Sequence, residues 1–282
     1  MYTHSHRYQV VDNMTVHVRV ALSRRTSVFC NATTRVPPPT LIQRAVLALA
    51  AAAPWTRNQM RTAPSADRNA KPISDLLSRH PPFSAADARH SCLEIASGTG
   101  QHCAHLARVF PHVVFQPTEY SAGSAGPEAS AYGSFSPLYA SIVAHCGGMP
   151  NVRPPLELDG SAARWADGVE GAAPWDAIYA CNVCHISPYA VSEGIIRGAA
   201  RLLGPGGHLF IYGPFMVDGQ HTAPSNVAFD ERLRAQNPAW GVRDATVLAQ
   251  LAESSGLRLV EKAQMPANNF VLVFGKIAPA QS

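Results

Sequence analysis

Three carboxylates and a histidine stand where short apolar runs of this chain stop. Glu94 lies within Cys92-Leu93-Glu94-Ile95-Ala96, and Glu119 closes the run that begins Val113-Val114-Phe115-Gln116. Asp159 follows Pro155–Leu158, and Asn182 and His185 follow Trp175–Ala180. If these runs are strands of one open α/β sheet, their last residues meet at the carboxyl edge, where such sheets hold ligands. Between Glu94 and a helix expected to open at Gln101 lies Ala96-Ser97-Gly98-Thr99-Gly100. Gly98 and Gly100 allow positive φ and let a ligand come close to the backbone. A strand, a glycine turn and a helix N-terminus together make a corner for nucleotide-type ligands. Glu119, 25 residues after Glu94, suits a ribose, because a carboxylate accepts from both hydroxyls and repels a 2′-phosphate. Asp159 is placed for an adenine exocyclic amine, and Glu94 for an ammonium. The set suits a nucleoside with free ribose hydroxyls, an amine-bearing base and a cationic tail.

The turn narrows the ligand further. A dinucleotide fingerprint, G-x-G-x-x-G, would need glycine where Cys103 stands. The residues present read E-x-A-x-G-x-G instead. That pattern is similar to the first motif of class I S-adenosylmethionine (SAM) methyltransferases, usually written with glycine at the place of Ala96. SAM has no pyrophosphate, and it has the free ribose, the amine and the cationic tail. The expected cofactor contacts are Arg68, Asn69, Glu94, Ala96, Ser97, Gly98, Gly100, Gln101, Glu119, Asp159 and Asn182. Among these, Asp67-Arg68-Asn69 would close over the methionine end, with Arg68 as counter-ion of the carboxylate. Methyl transfer is an in-line displacement accelerated mainly by alignment, and a base matters only where the acceptor must lose a proton. His185, Tyr212 and His221 are the candidate catalytic groups. His185, Asn226, Asn268 and Asn269 are the candidate acceptor-side groups. Each also has a structural reading: a packed loop histidine, a helix cap at Asn226, turn asparagines at 268 and 269.

The elements that must carry these residues alternate strand and helix after residue 64, the signature of an α/β fold. Helices are expected over Asp67–Arg79, with Pro72 interrupting the first turns, over Gln101–Phe110, and over Phe135–Cys146. Strands are expected at Leu93–Ala96, from Val113 to Glu119, at Pro155–Leu158 and at Trp175–Ala180. Val191, Ile195, Ile196, Ala199, Leu202 and Leu203 recur at helical spacing. Gly204-Pro205-Gly206-Gly207 should stop that helix before a strand at His208–Tyr212. A helical face through Val247, Leu248, Leu251 and Ala252 ends at Gly256, and strands follow at Leu257–Glu261 and Phe270–Gly275. Residues 121–134, rich in Gly, Ala and Ser, read as a loop.

Composition bounds the function. The formal charge of +4 divides unevenly: residues 1–64 hold eight arginines and one acid, Asp12, which leaves residues 65–282 at −3. A nucleic-acid-binding surface across that domain is therefore not expected. An Asn-Pro-Pro-Thr-type site of DNA adenine methylation is also missing, since Val183-Cys184-His185 follow Asn182. The Arg- and Ser-rich, acid-poor segment 1–61 matches a mitochondrial or plastid transit peptide, or an extension without targeting role. Ala45–Ala53 is too short to span a bilayer, so a soluble intracellular protein without a membrane partner is expected. The sequence leaves the oligomeric state open. The six cysteines include Cys181-Asn182-Val183-Cys184, but no second pair completes a zinc site. No metal is expected.

Several further segments carry a family resemblance. They are Ser65–Asn69, Leu93–His102, Asn151–Asp159, His185–Pro188, Tyr212–Phe215, His221–Asn226, Pro238–Gly241 and Met265–Asn269. Over about residues 62–277 the chain resembles methyltransferase-like protein 26 and its bacterial relatives, with 121–134 as an insertion. The resemblance implies a Rossmann-like class I methyltransferase fold: a seven-stranded, mostly parallel sheet with an antiparallel last strand and helices on both faces. It implies SAM as cofactor and names no acceptor. The resulting expectation is a SAM-dependent methyltransferase acting on an unidentified small molecule, with its domain at 62–282. Two other readings stand beside it: a SAM-binding sensor or interaction module without catalysis, and an NAD-dependent oxidoreductase.

Overall fold

The computed structural model describes residues 60–120, 137–161, 165–170 and 173–277. Residues 1–59 of the expected extension, Cys30 and the 121–134 segment lie outside the described residues. The chain alternates as expected: α1 (Pro64–Leu77), β1 (His90–Ile95), α2 (Gln101–Val109), β2 (Val113–Glu119), α3 (Pro137–Cys146), β3 (Leu156–Glu157), α4 (Asp167–Glu170) and β4 (Trp175–Cys181). A 3₁₀ turn at Cys184–Ile186 leads to α5 (Tyr189–Leu202) and β5 (Leu203–Gly213). Then come β6 (Phe215–Val217), β7 (Gln220–His221), α6 (Pro224–Gln236), β8 (Arg243–Asp244) and α7 (Ala245–Ser254). β9 (Leu257–Met265) and β10 (Asn269–Lys276) close the described chain through a 3₁₀ turn at Pro266–Asn268.

The main sheet has seven strands in the order β3-β2-β1-β4-β5-β10-β9. Pairing is parallel from β3 to β5, and β10 runs antiparallel to both β5 and β9. β9 therefore points the same way as β1, and its turn into β10 joins the carboxyl edge of the sheet. Both faces of the sheet are buried, and the period of two sorts each strand between them. Leu93, Ile95, Ile178, Ala180, Leu209, Ile211, Leu272 and Phe274 pack with Ile195, Ile196, Ala199 and Leu202 of α5 and Leu248 and Ala252 of α7. Cys92, Ala177, Tyr179, Phe210, Tyr212, Val271 and Val273 pack with Ile73, Leu76 and Leu77 of α1, Cys103 and Leu106 of α2, and Ile142 of α3. Each large apolar side chain so buried contributes roughly 1.5–3 kcal/mol. Trp165 packs closely on α5 because Gly198 leaves room: a Cβ there would fall 2.0 Å from the indole ring. The indole N–H donates to the Gly194 carbonyl at 2.9 Å.

Four elements differ from expectation. α1 starts at Pro64 and runs through Pro72 unbroken, since a proline removes one helical hydrogen bond and the burial of Ile73, Leu76 and Leu77 outweighs it. β3 shrinks to two residues, because Pro154 and Pro155 have no N–H to donate to a ladder. The Gly204–Gly207 stretch is absorbed into β5, with a register shift between Trp175↔Leu203 and Ala177↔His208. A second sheet, β7-β6-β8, was not expected; strands of two or three residues are too short to show a period.

Candidate functional site

The glycine turn is built by contacts from three directions. From β2, the fully buried Thr118 donates its hydroxyl to the Glu94 carbonyl at 2.8 Å and accepts the Ser97 N–H on its own carbonyl at 2.7 Å. From α3, the Ser141 hydroxyl donates to the Thr99 carbonyl at 2.8 Å. α3 packs directly beneath Gly100, where φ is +87° and a Cβ would lie 2.7 Å from Ile142 Cα. From α1, the Ala63 N–H donates to Gln101 Oε1 at 2.6 Å, and Gln101 Nε2 donates to Asp67. Among the described residues no side chain caps the first turn of α2. Ala96 also takes positive φ, +52°, so the motif's alanine holds a conformation that glycine adopts more easily.

Two carboxylates face this turn. Glu94 is 2% exposed, and Ser97 Oγ donates to its Oε2 at 2.7 Å. Burial lifts its pKa from the ordinary 4.5 to about 7, with the Glu119 charge adding to the rise, while hydrogen bonds from Ser97 and Cys103 oppose it. Glu119 accepts the Gly98 N–H on Oε2 at 2.7 Å and the Tyr120 N–H on Oε1 at 2.9 Å. Burial raises its pKa too, and both backbone bonds pull it back. Each Glu119 oxygen keeps a second lone pair for a ligand hydroxyl. Asp159 sits two residues beyond the Glu119↔Glu157 pair, half-buried, with Oδ1 accepting from the Ser161 N–H and hydroxyl. Asn182 follows β4 at φ +58° and donates its N–H to the Tyr212 carbonyl at 2.9 Å. Glu94, Ala96 to Gln101, Glu119, Asp159 and Asn182 thus gather around the carboxyl ends of β1 to β4.

A second group lies at the ends of β4, β5 and β10. The His185 ring is buried, 5.4 Å from the Phe229 ring, and a Cβ on Gly213 would lie 3.4 Å from its Nδ1. Burial, helped by the Arg243 charge, lowers its pKa from 6.5 to about 4. Arg243 holds the loop around it, donating to the carbonyls of Cys184, Ser187 and Ala239 at 2.9, 2.6 and 2.9 Å. The Tyr212 hydroxyl is buried without a hydrogen-bond partner among the described residues, although the Asn269 amide is a near neighbour. Asn226 does not cap α6, as the structural reading had it. It lies inside the first turn, and its Nδ2 donates to the Asn268 carbonyl at 3.1 Å, tying α6 to the β9–β10 turn. Asn268 Nδ2 donates to Ser225 Oγ and Asn269 Nδ2 to the Pro266 carbonyl.

His221 stands beside Asp230 instead: its Nε2 is 3.6 Å from Asp230 Oδ2, which also receives Arg234 Nε at 2.9 Å. Arg68 is exposed on α1, and its charge acts on Tyr212; Asn69 is half-buried beside it. Cys181 and Cys184 do not form a disulfide. Burial raises both thiols, Cys181 to about 12, so they are poor nucleophiles and ligands at neutral pH. Among the described residues no group of three His, Cys, Asp or Glu side chains could hold a metal ion, and no helix is long and apolar enough to cross a membrane.

Thr118, Ser141 and Arg243 were not singled out by sequence reasoning. Thr118 had a signal, since it precedes a strand-end acid. Ser141 and Arg243 had none, because the contacts that tie Ser141 to the glycine turn and Arg243 to the Cys184 loop span 42 and 59 residues.

A family model described as "Protein of unknown function (DUF938)" matches residues 60–276. The chain belongs to this family. Structural comparison shows that its DUF938 domain has the class I methyltransferase fold. An O-methyltransferase family protein from Burkholderia thailandensis superposes with a TM-score of 0.57 at 20% identity, over 76% of this chain and 57% of that one. An O-methyltransferase family 2 protein from Planctomyces limnophilus, in complex with apigenin, gives 0.57 at 15% identity, over 83% and 62%. Human N-acetylserotonin methyltransferase, in complex with SAM, gives 0.54 at 13% identity, over 84% and 56%. The chain thus spans little more than half the length of these proteins.

Proposed function

We propose that this protein is a SAM-dependent methyltransferase acting on a small-molecule acceptor. The observation that carries the reading is the Glu119 carboxylate, held by the Gly98 and Tyr120 N–H groups at the end of β2, beside the buried Glu94. The residues fit the cofactor. A Cβ on Gly98 would meet nothing among the described residues within 4 Å, which leaves room for a ligand beside the turn. Glu119 is suited to the ribose hydroxyls and Asp159 to the adenine amine. Ala96, Ser97, Gly98, Gly100, Gln101 and Asn182 offer backbone to the nucleoside, and Glu94 offers charge to the methionine ammonium. Arg68 and Asn69 close the methionine end from α1. When bound, SAM supplies an electrophilic methyl group on a sulfonium.

His185, Tyr212, Asn226, Asn268 and Asn269 line the acceptor side. His185 is neutral over the physiological range, because its pKa of about 4 leaves it a weak base and a good hydrogen-bond acceptor. It orients the acceptor rather than driving its deprotonation. His221, tied to Asp230, supports α6 and takes no catalytic part. We further read 62–282 as the methyltransferase-like domain, 1–61 as an extension to it, and the chain as a relative of methyltransferase-like protein 26. The test is transfer of labelled methyl from SAM into a small-molecule extract. Label in a product, reduced in a His185→Ala variant that binds SAM normally, supports the reading. SAM binding without label transfer to any acceptor would leave a SAM-binding module.

A further inference from the structure

Residues 61–67 are held at the glycine turn by hydrogen bonds; none of residues 61–72 is buried. The Arg61 N–H donates to the Ser141 hydroxyl at 2.9 Å, and His145 Nε2 lies 2.8 Å from the Arg61 carbonyl. The Ala63 N–H donates to Gln101 Oε1 at 2.6 Å, Gln101 Nε2 donates to Asp67, and His102 Nε2 lies 3.0 Å from the Ala66 carbonyl. Two of these side chains also hold the turn. Gln101 Oε1 accepts the Thr99 hydroxyl at 2.9 Å, and the Ser141 hydroxyl donates to the Thr99 carbonyl at 2.8 Å. Thr99 is therefore fixed by the same groups that fix the segment, and in such a chain of hydrogen bonds each strengthens the next. The second half of α1 is held differently. Ile73, Leu76 and Leu77 are at most 3% exposed and pack with Cys103, Leu106 and Ile142. Pro72 stands at the boundary between the halves. It has no N–H to give the Arg68 carbonyl, so the helix is weakened at that joint. Two local contacts span the joint: an exposed Lys71–Asp75 ion pair, which adds little, and the Ser74 hydroxyl on the Lys71 carbonyl at 2.9 Å.

We propose that residues 61–71 form a hinged gate at the glycine turn, turning at Pro72 and latched by Gln101 and Ser141. Closed, as in this structure, the gate fixes Thr99 and with it the turn. Open, it frees Gln101 and Ser141 from the segment while Ile73, Leu76 and Leu77 stay docked. A ligand that binds the fixed turn better must, by reciprocity, hold the gate shut. The Gln101 side chain, expected from sequence as a cofactor contact, thereby acts as a positioning group. In taking SAM as that ligand, the proposal rests on the methyltransferase reading; the hinge does not.

Gln101→Leu and Ser141→Ala each break the latch, and Pro72→Ala gives the joint its missing N–H. Hydrogen exchange on the full chain, free and with saturating SAM, would follow peptides covering 61–71 and 73–80, and stopped-flow mixing would follow SAM binding. In the free wild type, 61–71 should exchange faster than 73–80, as a separate unit. Each latch variant should speed exchange of 61–71 about 10-fold, the scale of one or two lost hydrogen bonds, and leave 73–80 unchanged; Pro72→Ala should slow it. SAM should slow exchange of 61–71 in the wild type, leave the latch variants about 10-fold faster, and enter Pro72→Ala more slowly. A merely structural role would lower Tm without separating the two halves of α1 or moving the SAM rates. The proposal is overturned if the two halves exchange together in every protein, or if SAM association and dissociation ignore all three variants. Failure of the wild type to bind SAM would instead sink the methyltransferase reading, and exchange in the three variants would still decide the hinge.

Discussion

At the scale of single residues, the site depends on two groups held away from their ordinary protonation. Glu94 has its pKa at about 7 against 4.5. Below pH 7 the folded protein keeps a proton that the unfolded chain releases down to about pH 4.5. Stability therefore rises as pH falls across that window, and the penalty of the buried charge is complete only above it. At roughly 1.4 kcal/mol per pH unit the penalty is about 3 kcal/mol. Glu94→Gln should thus stabilise the protein at pH 8, by up to that amount, and change little at pH 5; urea melts at the two pH values would check it. The same variant should bind SAM more weakly at pH 8, and wild-type binding should weaken as pH falls through 7. For His185, with its pKa near 4, methyl transfer should show no limb near pH 6.5 attributable to this ring. Arg243→Met should raise the His185 pKa, which NMR titration of the ring would report. The residue types at the strand ends were legible in the sequence. Their protonation was not, because it comes from burial and from partners such as Arg243 that are distant in the chain.

At the scale of elements, the turn between β1 and α2 separates two kinds of glycine. Gly100→Ala would strain a φ of +87° and drive a Cβ into the α3 backbone at 2.7 Å, costing about 2 kcal/mol or more. Gly98→Ala shares the strain of a positive φ (+56°) but meets no atom of the described residues within 4 Å. It should cost less stability while filling the space offered to a ligand, so SAM affinity should fall more than Tm. Thermal melts and calorimetry on both variants would show the contrast; equal effects on affinity at equal stability would contradict it. The long strands and amphipathic helices were readable from their periods. The β3 truncation, the passage of α1 through Pro72 and the β7-β6-β8 sheet were not, since tertiary pairing decides them where local pattern is short or broken.

At the scale of the whole molecule, the alternation of strand and helix led to the right sheet. Two details needed more than alternation. The antiparallel β10 came from family resemblance, and the convergence of β9's turn with the other strand ends follows only from its pairing. That topology brings the carboxyl ends of six strands, β1 to β5 and β9, to one edge, with Glu94 and Glu119 on β1 and β2 and with Tyr212 on β5 and His185 after β4. The charge of −3 over residues 65–282 fits a small-molecule site better than a nucleic-acid surface. The central claim is that this edge binds SAM through Glu119. Calorimetric titration of the full chain with SAM and with NAD, alongside Glu119→Ala, tests it most directly. The account predicts SAM binding that weakens by about 10-fold or more in the variant, as expected for lost hydrogen bonds to a charged group, and no NAD binding. SAM binding that Glu119→Ala leaves intact, or NAD bound in its place, would contradict it.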